Sequence, residues 1–369
     1  MYRRILAALA LAGLLAACGS QAAAPLPTAA PAAPQPTAAP AAPAGARTLT
    51  LMAHDSFSVS EDVLKAFEQQ NNVKVEVLKS GDAGQALNKA TLSAGSPLAD
   101  VFFGVDNTFL TRALKAGIFE PYNAAALASI PAEYKLDPSN SLVPIDYGYV
   151  SVNYDKAYLA QNKLAPPATL EDLAKPEWKG KLVVENAATS SPGLAFMLAT
   201  IGHFGASGSY TWLDYWKALR ANDVLVVDGW SDAYNTQFSG SSGKGPRPLV
   251  VSYASSPPAE VFFSEGKLTD APTGVMAGGS FLQVEFAGIL KGTKNRDLAE
   301  KLIDFMLGKR FQEDMPLQMF VYPVVPGSAL PDLFTKFAAV PAEPVRVAPE
   351  QIDQNREQWV DAWTKTVLR

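Results

Sequence analysis

Between Thr48 and Gly117 short apolar runs and helix-spaced runs take turns, and this order constrains the fold more than any other feature of the chain. TLTLMAH (48–54) reads as a strand, and SEDVLKAFEQQN after it as a helix with Ser60 as N-cap. VKVEVLK (73–79) alternates with period two, as a half-buried strand does, and AGQALNKATLSAG is helical again. ADVFFGV reads as a buried strand, and NTFLTRALKAG as a helix with Gly117 at its C-cap. A β-α-β-α-β-α run predicts an α/β fold with a mainly parallel sheet. Ligands of such sheets bind beyond the carboxyl ends of the strands. Here those ends are HDSF (54–57), SGDAG (80–84) and GVDN (104–107), and each carries a carboxylate: Asp55, Asp82 and Asp106. One aspartate in such a place is commonly a helix cap. Three at consecutive strand ends predict a polar cleft that favours a cation.

The pattern then restarts. LVPIDYGYVSVNYDKAYL (142–159) is long and alternating before it turns helix-like, and reads as a strand crossing into a second domain. There KLVVEN is a strand and PGLAFMLATIG a helix, joined by TSSPG (189–193) with Ser191 as N-cap, Pro192 at N1 and Gly193 behind it. The free N–H groups and the helix dipole make such a junction an anion site. LVVSY followed by Ser255, Ser256 and Pro257 repeats the device, although a single Ser-Pro is ordinary capping. Between the two lies VVDGWSDAYNTQF (226–238). VLVV reads as a buried strand, Gly229 breaks it, and Trp230 follows where no apolar pattern asks for it. With Ser231 capping the next helix and Tyr234 one turn on, Trp230 faces the gap between domains as one wall of a slot for a flat cation. The alternative is a staple beneath its own helix. GGSFLQVEFAGILKGTKN (278–295) is a second long strand and a second crossover. Leu298, Leu302, Ile303 and Met306 share one helical face, and Trp359 and Trp363, four apart in the last helix, read as packing.

Composition removes several classes of function. A net charge of −5 argues against a nucleic-acid partner, which needs a basic face. Two histidines, His54 and His203, and one cysteine, Cys18, exclude a His/Cys zinc site; no metal and no cofactor is expected. A serine hydrolase needs G-x-S-x-G and a histidine, whereas GWSDA and GGSFL both lack the last glycine and His203 reads as a helix-end cap. No catalytic residue is expected. At the N-terminus MYRR and ILAALALAGLL form the charged and apolar parts of a signal peptide (1–17), too short to span a bilayer. LAAC (15–18) resembles a bacterial lipobox, which implies a diacylglycerol thioether on Cys18. Residues 19–47 are almost wholly Ala, Pro, Thr and Gln and read as a flexible tether, on the order of 80 Å at full stretch.

An acyl anchor, a leash and two α/β lobes with two crossovers describe an extracytoplasmic solute-binding protein. The chain resembles the thiamine-binding proteins of bacterial ABC importers, a family related to the ferric-ion and polyamine binding proteins. The resemblance runs over most of 48–369. It is carried by HDSF, GVDN, VPIDYGYVSVNYDK (143–156), TSSPGL (189–194), DGWSDAY (228–234), VSYASSP (251–257), FLQVE (281–285) and YPV (322–324). It implies an α/β, two-lobed, periplasmic-binding-protein-like fold: a sheet flanked by helices in each lobe and two crossover strands. Lobe 1 would comprise 48–145 and 284–345, lobe 2 146–283, with a C-terminal helix in 346–369. It implies a monomer, held to the outer face of the cytoplasmic membrane or free in the periplasm, that delivers thiamine or its mono- and diphosphate to a permease and ATPase complex. The aromatics that stack on the ligand match Trp230 and Tyr253, and Ser190 matches a contact to its arm or phosphate. The ligand set expected on both grounds is His54, Asp55, Ser56, Asp82, Asp106, Ser190, Ser191, Gly193, Trp230, Ser231, Tyr234, Tyr253, Ser255, Ser256 and Phe320. His54 stands where enterobacterial relatives carry tyrosine and Phe320 where they carry tryptophan. A further tryptophan shortly after DSF has no counterpart. Ferric ion would want adjacent tyrosines, which are absent from the sequence; a polyamine would also suit the aromatics and aspartates, and stays open.

Overall fold

β1 (Arg47–Ala53), β2 (Val73–Lys79) and β3 (Val101–Asp106) run parallel, joined through the helices Glu61–Asn71 and Ala83–Leu92. The structure is a computed structural model that describes residues 47–241 and 244–369. The signal peptide, Cys18 and the Ala/Pro-rich stretch as far as 46 lie outside the described residues. After β3 come β4 (Phe119–Glu120), β5 (Val143–Asp155), β6 (Leu182–Glu185), β7 (Leu225–Val227), β8 (Leu249–Tyr253), β9 (Thr273–Val275), β10 (Phe281–Leu290) and β11 (Tyr322–Pro323). They make one sheet in the order β2-β1-β3-β10-β5-β8-β6-β7.

The parallel expectation holds inside each half of this sheet. β6 pairs parallel with β7 and with β8. The middle is antiparallel, because β10 and β5 run against each other and against β3 and β8. Both are long enough to serve two halves. β5 pairs with β10 and β11 through its first residues and with β8 and β9 from Val150 onward. β10 pairs with β5 at its start and with β3 and β4 from Glu285 onward. The register shifts at Glu285/Phe286 and again at Phe286/Ala287, a bulged stretch that re-aims side chains at the centre of the molecule.

Burial explains the composition of these strands. β3 and β10 are buried on both faces, so they read as continuous apolar runs rather than alternating ones. The helix Ser191–Phe204 is buried from Ser191 through Ile201 and packs on β5, β6, β8 and β10, which is why it is apolar all round. Trp216 donates from Nε1 to Thr200 Oγ1 at 3.0 Å and meets Trp363 edge to face at 5.4 Å. Those contacts pin the C-terminal helix Pro349–Val367 and give Trp363 the expected packing role.

Several local expectations are corrected. Ser60 occupies an N-cap position, but its hydroxyl and N–H both donate to Asp314 and make no cap bond. Gly117 lies one residue beyond the C-cap Ala116, at φ +64°. β7 is a half-buried edge strand, not a buried one. His203 sits in the last turn of its helix, where Nε2 meets Glu171 at 2.7 Å rather than a terminal carbonyl.

Candidate ligand-binding site

The carboxyl ends of β1, β6, β8 and the turn before Trp230 converge on a cleft of about 360 Å³. One wall carries His54, Asp55 and Ser56, then Asp82, Ala83 and Gln85, and Met319 to Val321. The other carries Ser191, Pro192, Asp228 to Asp232, Tyr234, Tyr253, Ser256 and Ala259, while Glu285 reaches in from the crossover strand β10.

Trp230 stacks on Tyr234 with ring centroids 5.0 Å apart and planes 13° from parallel. Its Nε1 donates to Ser252 Oγ at 2.8 Å, and Ser252 shares a hydrogen bond with Ser256 Oγ at 2.9 Å. The indole is therefore fixed in orientation, braced on one face, and still lines the cleft. Gly229, not Ser231, caps the helix that follows, because Trp230 is already its first residue. Ser231 instead approaches Ser56 Oγ across the cleft at 3.4 Å. The helix passes into a π turn over Ala233–Gln237, a feature frequent at functional sites. Tyr253 lies over Gly148, where a Cβ would come within 3.3 Å of the phenol ring.

Asp82 joins the two walls. It caps its own helix through Ala83 N–H at 2.7 Å. It also accepts from Trp230 N–H at 2.9 Å, Ser190 Oγ at 3.1 Å and Ser191 N–H at 3.4 Å. The N-terminus of the helix Ser191–Phe204, expected to await an external anion, thus already holds a carboxylate. The cap is Ser190, one residue earlier than expected, and Ser191 begins the helix.

His54 fits because Gly104, at φ +102°, leaves room: a Cβ there would lie 2.5 Å from the imidazole. Its Nε2 is 3.4 Å from Glu285 Oε1. Burial works to lower the imidazole pKa, but Glu285, with Asp82 and Asp55, outweighs it and holds the value above the usual one. Phe320 has a left-handed backbone, φ +55°, held by Ser255 Oγ donating to its carbonyl at 2.5 Å. Its ring meets Phe262 and Phe263 edge-on.

Four of the expected residues lie outside the cleft lining. Asp106 is fully buried and accepts from Thr108 N–H and Oγ1, Phe109 N–H, Gln283 Nε2 and Ser191 Oγ. Burial pushes its carboxyl up to about 6, against the pull of the Ser191 and Thr108 hydrogen bonds. Ser190 is buried behind Asp82 and Ser255 behind Phe320. Gly193 lets its helix close on β6, where a Cβ would stand 2.5 Å from the Glu185 carbonyl oxygen. The second Ser-Pro junction makes no anion site either, since Ser256 Oγ turns back to Ser252 Oγ and Tyr253 N–H.

The lining also includes residues that the sequence reading left out: Gln85, Asp228, Asp232, Glu285, Met319 and Val321. Glu285 had a usable signal, a lone carboxylate inside the apolar strand FLQVEFAGIL. With Asp55 and Asp82 it makes the wall opposite the aromatic stack acidic, while Asp228 and Asp232 add carboxylates on either side of Trp230.

Comparison with known proteins gives a concordant picture. The family model for bacterial extracellular solute-binding proteins matches residues 96–340. The thiamine-binding periplasmic protein of Salmonella typhimurium is 32% identical over 326 residues, 87% of this chain and 94% of that protein. The thiamine-binding periplasmic protein of Escherichia coli is likewise 32% identical, over 327 residues and the same shares. Among solved structures a periplasmic thiamin binding protein superimposes with a TM-score of 0.78 at 28% identity, over 89% of this chain and 99% of the other.

Proposed function

The chain belongs to the bacterial extracellular solute-binding proteins, and from that premise we propose that its cleft captures thiamine outside the cytoplasmic membrane for an ABC importer. The observation that carries this reading is the Trp230–Tyr234 stack facing an acidic wall across a cavity of about 360 Å³. Thiamine offers a flat aminopyrimidine, a thiazolium cation and a hydroxyethyl arm. The flat rings and the cation suit the indole and Tyr253; the carboxylates supply the opposite charge. Asp55, Asp82 and Glu285 are the residues placed to receive the polar edge and the cation. The donors at the helix N-terminus are spent on Asp82, so the mono- and diphosphate are expected to bind no tighter than thiamine itself.

In this reading lobe 1 is 48–145 with 284–345, lobe 2 is 146–283, and 346–369 is a C-terminal brace. The lobes swing about β5 and β10. Ligand held by both walls favours the closed state by its differential contacts, and the closed form docks as a monomer on the permease and ATPase complex. No covalent step is involved. Among the described residues no hydrogen bond joins either histidine to a serine. Cys18 carries the acyl anchor, and 19–47 sets the reach. Calorimetric titration with thiamine, its two phosphates and spermidine tests the ligand: thiamine should lead, and no binding of it below ~100 μM would overturn the assignment. Replacing Cys18 by serine should move the protein from the membrane fraction to the soluble one.

A further inference from the structure

Asp146 on β5 and Glu285 on β10 are directly opposed in the antiparallel pairing of the two crossover strands. Directly opposed residues project to the same face with Cβ atoms about 5 Å apart. Asp146 is fully buried, and neither of its oxygens meets a hydrogen-bond donor among the described residues. What faces it is the Glu285 carboxyl. Two carboxyl groups can bond to each other only if one holds a proton. Glu285 is 6% exposed, yet its far side lines the cleft, 3.4 Å from His54. His54 Nε2 is itself buried and, among the described residues, has only this longer approach to Glu285 in place of a hydrogen bond. Neither carboxyl forms an ion pair with a lysine or arginine among the described residues. A buried acidic pair that opens into a cleft, with only the titratable imidazole of His54 beside it, is a place prepared for a permanent cation.

Resting on the thiamine reading above, we propose that Glu285, backed by Asp146, is the counter-ion of the ligand's cation, and that the pair takes up that cation by releasing its shared proton to solvent. Charge balances: the empty pair carries one negative charge and one proton, and the occupied pair carries two negative charges against the ligand's positive one. Burial and the Glu285 charge both hold the Asp146 carboxyl well above the usual range, so the proton is present when the cleft is empty. A cation beside Glu285 reverses that preference. The other groups facing the pair are His54, Asp106 and Tyr253, with Asp82 and Asp55 on the far side of His54. All but His54 are acids; His54, which Glu285 holds above its usual pKa despite burial, is the one group beside the pair that can carry a positive charge, so its proton is the rival source of any release.

The test is calorimetry of thiamine binding between pH 6 and 8 in buffers of different ionisation enthalpy. About one proton should leave per thiamine bound, and affinity should rise by about tenfold per pH unit while the empty pair keeps its proton, then level off. Asp146→Asn should abolish the release and flatten the pH profile. Glu285→Gln should weaken binding by at least about 30-fold. Thiamine binding with no proton released, or a Glu285→Gln variant that binds like the parent, would overturn the proposal. Release that persists in Asp146→Asn and disappears in His54→Asn would assign the proton to His54 and overturn it too. Failure of thiamine to bind at all would count against the ligand rather than the pair. The pair is then read by infrared spectroscopy of the ligand-free protein. A protonated-carboxyl stretch at pH 6 that vanishes in Asp146→Asn is expected, and two ionised carboxylates would overturn it.

Discussion

Trp230 shows what a single side chain contributes here. Its indole is held by Tyr234 on one face and by Ser252 at Nε1. Trp230→Ala should weaken thiamine binding by more than ~1 kcal/mol, and Trp230→Phe by less, because a phenyl keeps the face and loses the donor. Equal affinities in a titration would take the residue out of the stacking role. Asp82 lends itself to a different measurement. Asp82→Ala leaves Trp230 N–H and the Ser190 hydroxyl without their acceptor, at a cost of about 1–3 kcal/mol. The ligand-free variant should therefore melt lower and show a larger radius in small-angle scattering; an unchanged radius would mean that Asp82 does not hold the walls together. Strand-end logic placed Asp55 and Asp82 in the cleft because both follow strands whose carboxyl ends open onto it. The same logic failed for Asp106, whose own turn supplies three donors and draws the carboxylate below the floor. Glu285 was harder still. A carboxylate inside a strand acquires its role only from its cross-strand partner, and that partner lies 139 positions away in another element.

At the scale of elements, strands were more legible than caps. Period-two and all-apolar runs mark the strands directly, whereas a cap depends on which of two adjacent serines turns inward. In TSSPG the deciding contact comes from Asp82, more than a hundred residues upstream, so no local signal could choose between Ser190 and Ser191. Gly193 tests how tightly that helix is seated. A Cβ there would stand 2.5 Å from the Glu185 carbonyl oxygen, and backbone cannot swing aside as a side chain can. Gly193→Ala should destabilise the protein by about 2 kcal/mol or more in urea denaturation. It should also weaken binding, since Ser191 and Pro192 ride on the same turn. Wild-type stability would show that the helix can shift without loss.

For the whole molecule, two lobes were readable from the restart of the alternating pattern, but their fusion into one sheet was not. Pairing between β10 and β5 is non-local and leaves no local mark. That fusion has a consequence for stability. It buries acids at the centre: Asp106 raised to about 6, with Asp146 and Glu185 well above the usual range, all chiefly through burial. The unfolded chain releases those protons near the ordinary carboxylate values, the folded one only later. The stability they contribute is thus complete below about pH 4 and is lost as pH rises through about 6 for Asp106 and higher for the other two. His54, also raised, acts in the same direction. Asp172 and Asp214, lowered to about 2 by their hydrogen bonds, act oppositely but only in strong acid, so they leave the range from pH 5 to 8 flat. Ligand-free protein should therefore melt higher at pH 5 than at pH 8, by about 5 °C in differential scanning calorimetry. Asp106→Asn should remove part of that slope, because an amide keeps the shape and has no proton to lose. A melting temperature that rises toward pH 8 would mean that these buried carboxyls are ionised in the folded state.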